Sequence, residues 1–162
     1  DDDPTLTIRD MGYVCQPVRV IVSSQADFAG KALRSTVDQG PIWICHDAGA
    51  KVSNWADVAS MLPVASVDGK LDPHAIVESL GKQGLTSVLC EGGGQLAASL
   101  LKAGLVDDLM IFTAGLAIGG DGRAGLGNLQ IDTLDQADRF SLVNTQVIGD
   151  DILHHWRKSP AP

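Results

Sequence analysis

Apolar residues along this chain recur with two different periods, and the changes between them mark out its elements. Val18-Arg19-Val20-Ile21-Val22-Ser23 is β-branched and mostly apolar, which predicts a central strand ending at Ser23-Ser24. Pro41 to Cys45 predicts a second strand, followed by a turn at His46-Asp47-Ala48-Gly49, and Leu62 to Val67 predicts a third. Asp72-Pro73 then opens a helix, with Asp as N-cap and Pro at the first helical position. Ile76, Val77 and Leu80 form its buried face, and Gly81 or Gly84 ends it. Phe28 to Asp38 is mixed and holds a weak turn or helix, and the stretch around Trp55 has no period that places it.

The pattern is sharpest between Ser87 and Leu105. Val88, Leu89 and Cys90 form a short apolar run of the kind expected of a strand buried on both faces. Gly92, Gly93 and Gly94 let the backbone turn without a Cβ in the way. From Gln95 the period changes to that of a helix, with Leu96 and Leu100, and Ala97 and Leu101, four apart and Gly104 as the stop. Glu91 falls at the carboxyl end of the predicted strand.

Beyond it, Asp107-Asp108 reads as an exposed turn before a strand from Leu109 to Thr113. Ala114 to Leu129 is a glycine-rich loop whose length without periodicity points to a functional or mobile segment. Phe140 to Ile148, a turn at Gly149-Asp150, and Asp151 to Arg157 predict a β-hairpin. Strands alternating with helices and then a hairpin predict an α/β fold, with a mainly parallel sheet and an antiparallel edge. Ligands in such sheets bind beyond the carboxyl ends of the strands, where Ser23-Ser24, His46-Asp47 and Glu91-Gly94 are expected.

With 162 residues the chain suits one domain, and it shows neither internal repeat nor interdomain linker. Its net charge of −8, without a basic run, argues against nucleic acid and anionic membranes as partners. No apolar run approaches the ~20 residues of a membrane span, and no signal peptide is seen. Cys15, Cys45 and Cys90 are odd in number and widely spaced among apolar residues, which reads as reduced core cysteines in a reducing, cytoplasmic compartment.

Several chemistries lack support. His154 and His155 are adjacent in a strand, so they face opposite ways and cannot hold one ion together. His46 and His74 have no partner at ligand spacing, so no zinc site is expected. Ser24 and Ser99 lack a nucleophile-elbow context. The glycine turn before a helix is different, because unpaired amides and the helix dipole make it a potential phosphate seat. The alternative is a tight connection with no ligand. Glu91 would repel a phosphate at contact distance, so it suits a neutral, hydrogen-bond-donating part of a ligand. The dinucleotide fingerprint is not met, since Ala97 stands where its third glycine would fall.

Three segments in the same order resemble the reductase domain of the bifunctional riboflavin-biosynthesis deaminase–reductase. They are Asp2-Asp3-Pro4-Thr5-Leu6-Thr7-Ile8-Arg9, then Gln16-Pro17-Val18-Arg19-Val20-Ile21-Val22, then Glu91-Gly92-Gly93 with its helix and Val106-Asp107-Asp108-Leu109. The resemblance thins between Ala26 and Gly84. It implies a dihydrofolate-reductase-like three-layer fold and an NADPH-dependent reduction of 5-amino-6-(5-phosphoribosylamino)uracil. Hydride would pass from the nicotinamide to C1′ of the sugar through its ring-opened imine form.

Carried over by position, the resemblance implies substrate contacts at Leu6, Arg9 and Glu91. It implies cofactor contacts at Asp2, Ser24, Gly93, Gly94, Gln95, Leu96, Ala97, Ala98 and Ser99. It assigns no catalytic side chain and no residue to a cofactor 2′-phosphate. It also implies a homodimer. This chain departs from the family in having Gly94-Gln95 after the second glycine, Ser23-Ser24 for the usual Asp-Ser, and Ala114-Gly115 where Pro is common. Residues 1–162 are expected to be a single reductase domain lacking its first strand and helix, with no deaminase domain. Two alternatives stand beside the uracil reductase: a related reductase of another pterin or pyrimidine, and a fragment that binds ligand or dimerises without turnover.

Overall fold

The computed structural model describes residues 3–12, 15–51 and 54–159. The chain divides into two compact units, Asp1–Thr86 and Ser87–Pro162. It is an α/β protein, with a parallel sheet in the first unit and antiparallel strands in the second.

In the first unit β1 (Arg19–Val22), β2 (Ile42–Asp47) and β3 (Ser60–Val64) form a parallel sheet in that order. The middle strand is buried on both faces, as its unbroken apolar run requires. Alternation along β2 sends Ile42 and Ile44 into one cluster with Ala26, Leu33 and Trp55. Cys45 enters the other, with Leu62, Val64, Ile76 and Leu80. Each fully buried aliphatic side chain contributes about 1.5–3 kcal/mol.

The second cluster is closed by α2 (Pro73–Lys82), whose N-cap Asp72 accepts a hydrogen bond from the His74 amide at 3.0 Å. That helix begins and ends where its caps and glycines place it. The first cluster is closed by Trp55, which lies fully buried and stacks on Phe28 with ring centroids 4.7 Å apart. Its indole N–H donates to Phe28 O at 3.1 Å, and the Arg34 guanidinium sits 4.5 Å above its ring. Arg34 ends the short helix α1 (Lys31–Arg34), with a 3₁₀ turn at Val37–Gln39 behind it. The run expected as one strand from Leu62 to Val67 breaks at Ala65. Its second part, β4 (Ser66–Val67), pairs with β5 (Lys70–Leu71) across Asp68 and Gly69, both at positive φ.

The second unit holds α3 (Gly94–Lys102) and an antiparallel sheet, in which β8 (Asp151–Lys158) lies between β6 (Asp108–Thr113) and β7 (Phe140–Ile148). The expected hairpin is present, with Gly149 at φ 62° in its turn and a bulge between Leu142 and Asn144. β6 joins this hairpin as its third strand.

Three expectations are corrected. Val88 to Cys90 forms no strand among the described residues, and Val88 and Leu89 are 54% and 75% exposed. An apolar run reports a tendency to be buried and does not supply the backbone partners a strand needs. Asp108 is not part of a turn: it opens β6, where cross-strand register sets it opposite Arg157. Of the cysteines, all free, only Cys45 is in the core, whereas Cys15 and Cys90 are exposed. Burial pushes the Cys45 thiol up to about 11.

Candidate functional site

The site residues expected from the sequence are distributed over both units. In the first, the segment Asp3 to Arg9 is tied to its surroundings at three points. The Asp3 carboxylate accepts from the Ala32 amide at 2.8 Å, in the first turn of α1. Thr5 O accepts from Arg19 Nη1 at 3.3 Å. The Gln16 side chain takes both backbone groups of Ile8, accepting from its N–H at 2.7 Å and donating to its C=O at 3.0 Å.

Between these ties Leu6 has φ 53°, a left-handed conformation uncommon for a residue with a branched side chain. Arg9 is exposed and makes no hydrogen bond or ion pair among the described residues, so its fork is open to a ligand. Asp2 lies outside the described residues.

Ser24 sits just past β1, exposed, and its C=O accepts from the Asp47 amide at 3.2 Å. The neighbouring strand end is built around the Asp47 carboxylate. Ser66 Oγ and the Gly49 amide donate to it, and these bonds, the Ser66 one first, hold Asp47 below the usual carboxylate range.

In the second unit Gly93 is the N-cap of α3, and no side chain caps that end. The Leu96 and Ala97 amides both turn back to Gly93 O, at 3.0 and 3.2 Å. Among the described residues the Gly94 and Gln95 amides have no protein acceptor, so they are the donors this helix start presents. A Cβ on Gly93 would meet nothing within 4 Å. That open side, with two free amides and the dipole behind them, fits a phosphate group.

The other side of the turn is closed. A Cβ on Gly94 would stand 3.0 Å from both Ala124 O and Gly125 O. The glycine-rich loop therefore docks on the helix start, where the Gly127 amide donates to Gly94 O at 2.8 Å.

The remaining expected contacts separate by exposure. Glu91 and Gln95 are exposed, and Glu91 makes no hydrogen bond or ion pair among the described residues. Leu96 folds back toward Gly92, whose added Cβ would lie 2.8 Å from Leu96 Cδ2. Ala97 is half-buried, while Ala98 is 4% exposed and packs against Gly127. The Ser99 hydroxyl donates to Gln95 O at 3.0 Å, which leaves its lone pairs and not its proton for a ligand.

The sequence marks the glycine-rich loop as functional or mobile but not its docking at Ala124–Gly127, and it does not single out the buried Arg19. A signal existed for Arg19. A cation inside an otherwise apolar strand is rarely tolerated without several acceptors around it.

The RibD C-terminal domain model matches residues 1–154. The chain belongs to that family. It is 29% identical to the riboflavin biosynthesis protein RibD of Escherichia coli over 95% of this chain and 45% of that protein. It is 30% identical to the 2,5-diamino-6-ribosylamino-4(3H)-pyrimidinone 5′-phosphate reductase of Methanothermobacter thermautotrophicus, over 94% of this chain and 72% of that protein. The chain thus spans less than half the length of the E. coli RibD it matches. Among solved structures, Acinetobacter baumannii RibD superposes with a TM-score of 0.77 at 22% identity, over 98% of this chain and 44% of that one.

Proposed function

We propose that this chain is the reductase unit of riboflavin biosynthesis, reducing C1′ of 5-amino-6-(5-phosphoribosylamino)uracil to give the ribitylamino product. The observation that carries the reading is the turn at Gly93, open on one side and presenting the Gly94 and Gln95 amides. It sits directly after Glu91, in a chain that belongs to the RibD C-terminal domain family. NADPH, when bound, supplies the hydride. The residues of this chain bind and orient: Gly93 to Ser99 the cofactor phosphates, with Ser24 and Asp2 as further cofactor contacts. Leu6, Arg9 and Glu91 hold the pyrimidine and its phosphoribosyl arm.

The reading includes a cytoplasmic location and association of two copies. No helix among the described residues is long and apolar enough to cross a membrane. Support for association comes from the apolar side chains that the antiparallel sheet leaves exposed, such as Phe112 at 62% and Val147 at 73%.

A second reading differs only in substrate. The archaeal relative is named for the 2,5-diamino pyrimidinone, which still carries the amino group that the uracil compound lacks. Following NADPH oxidation with the uracil, the diamino pyrimidinone and dihydrofolate in parallel tests both. Turnover of the uracil is expected, turnover of the diamino compound alone would favour the second reading, and oxidation only with dihydrofolate would contradict both.

A further inference from the structure

Arg19 is 1% exposed, and among the described residues no carboxylate hydrogen-bonds to it. Its two Nη atoms donate instead to oxygens of Thr5, Thr36 and Gly40, while Nε has no partner among the described residues. Nη1 donates to Thr36 Oγ1 at 2.7 Å and to Thr5 O at 3.3 Å, and Nη2 donates to Thr36 O at 2.8 Å and Gly40 O at 2.6 Å. Burying a cation this way is costly, and it is retained only where the acceptors around it are held in one arrangement. Three residues earlier, Gln16 clamps Ile8 through both of its backbone groups. It also backs onto Gly40, whose added Cβ would lie 3.2 Å from Gln16 Cβ.

The two side chains grip one segment on either side of the strained Leu6, at Thr5 and at Ile8. A left-handed leucine costs on the order of 1–3 kcal/mol and persists only where neighbouring contacts over-determine it. Leu6 and Arg9 alone would not hold their conformation, since Arg9 makes no contact of its own with a described polar group.

We propose that Gln16 and Arg19 are positioning residues, which fix the backbone of Thr5–Arg9 so that Leu6 and Arg9 face the pyrimidine in one geometry. Neither touches substrate, and the inference rests on the assignment of Leu6 and Arg9 given above. Gln16 is the more informative of the two, because it is only half-buried and its removal leaves the core of the unit intact.

Gln16→Met keeps length and shape but removes both bonds to Ile8. It is expected to leave the melting temperature and the NADPH affinity near those of the unaltered protein. It is expected to lower kcat/KM for the pyrimidine roughly 10- to 100-fold, the scale of loss when a positioned group moves by about 1 Å. Gln16→Glu retains the acceptor for the Ile8 N–H and should recover part of the loss. Gln16→Met combined with Arg9→Ala should cost clearly less than the two single losses added together, since the clamp acts in part through Arg9. Additive losses, or a Gln16→Met protein with unchanged kcat/KM, would overturn the proposal.

Hydrogen exchange at the Ile8 amide separates this from the reading beneath it. Exchange should accelerate in Gln16→Met with or without ligand, and an unchanged rate would overturn the clamp. If Arg9→Ala leaves pyrimidine kinetics untouched, the substrate assignment fails, and exchange at Ile8 still judges the clamp by itself.

Discussion

The Gly127 amide donates to Gly94 O at 2.8 Å, and neither glycine has room for a side chain on the face it turns to the other. A Cβ on Gly127 would lie 3.0 Å from Gly94 O and 3.3 Å from Ala98 Cβ, and one on Gly94 would lie 3.1 Å from Gly127 N. The helix start and the glycine-rich loop thus meet backbone to backbone. Gly93, one residue away, faces open space.

That contrast makes a prediction with two arms. Gly127→Ala forces backbone apart and should destabilise the protein by about 1–3 kcal/mol, read as a lowered midpoint in urea. Gly93→Ala has φ −58° and an open side, so its stability should stay close to wild type. Its new methyl group would stand where a phosphate approaches, and NADPH titration should show weakened binding. Equal stability losses for both would contradict the asymmetry of the turn.

Trp55 anchors one face of the parallel sheet through burial, stacking on Phe28, an indole hydrogen bond and the Arg34 cation. Trp55→Ala should cost about 3–5 kcal/mol in chemical denaturation. Gly30→Ala should also be severe, because at φ 45° its Cβ would come within 2.6 Å of the Trp55 ring. Loss of under about 1 kcal/mol in Trp55→Ala would show that this cluster does not support the unit.

In the antiparallel sheet, His155 Nε2 lies 2.6 Å and Arg157 Nε 2.9 Å from Asp108 Oδ1. The His155 and Arg157 hydrogen bonds hold the Asp108 carboxyl below its usual range. Its folded pKa is therefore depressed relative to the unfolded chain, near 3.9. The stability it contributes is complete above that value and is lost as pH falls through the depressed one. Asp108→Asn should make the fall of the urea midpoint between about pH 5 and pH 3 shallower, against that unfolded-chain reference. An unchanged acid limb would show that the cluster is not linked to folding.

The thiols give a direct check of burial. Under native conditions a thiol reagent should modify Cys15 and Cys90 and spare Cys45, whose ionisation is pushed up to about 11 by its apolar surroundings. Cys45 should react only on unfolding. Rapid native modification of all three would contradict the packing of β2.

Local signals are legible where a residue's own chemistry decides its conformation. Asp72-Pro73 starts α2, the glycines of the turn precede α3, and Gly149-Asp150 joins β7 to β8. They fail where a partner far along the chain decides the outcome. Trp55 has no periodic context, and its role comes from Phe28 and Arg34, more than twenty residues away in sequence. The apolar run Val88-Leu89-Cys90 has the hydrophobicity of a strand but lacks the pairing partner, which its own sequence does not encode. Asp68-Gly69, a strong short-range hairpin signal, follows directly on the strand expected from Leu62 to Val67 and turns its last two residues into a hairpin with Lys70–Leu71. Of the candidate site, the glycine turn and Glu91 were legible from spacing, while Leu6 and Arg9 came only from the family pattern. Gln16 and Arg19 contribute through hydrogen bonds to backbone 8 and 14 residues away in sequence, which no periodicity records.

Transfer of label from NADPH deuterated at the reactive position of its nicotinamide tests the central claim most directly. With 5-amino-6-(5-phosphoribosylamino)uracil as acceptor, the product should be the ribitylamino compound carrying one deuterium at C1′. Product without deuterium, or NADPH bound by the protein with neither pyrimidine reduced, would contradict the account.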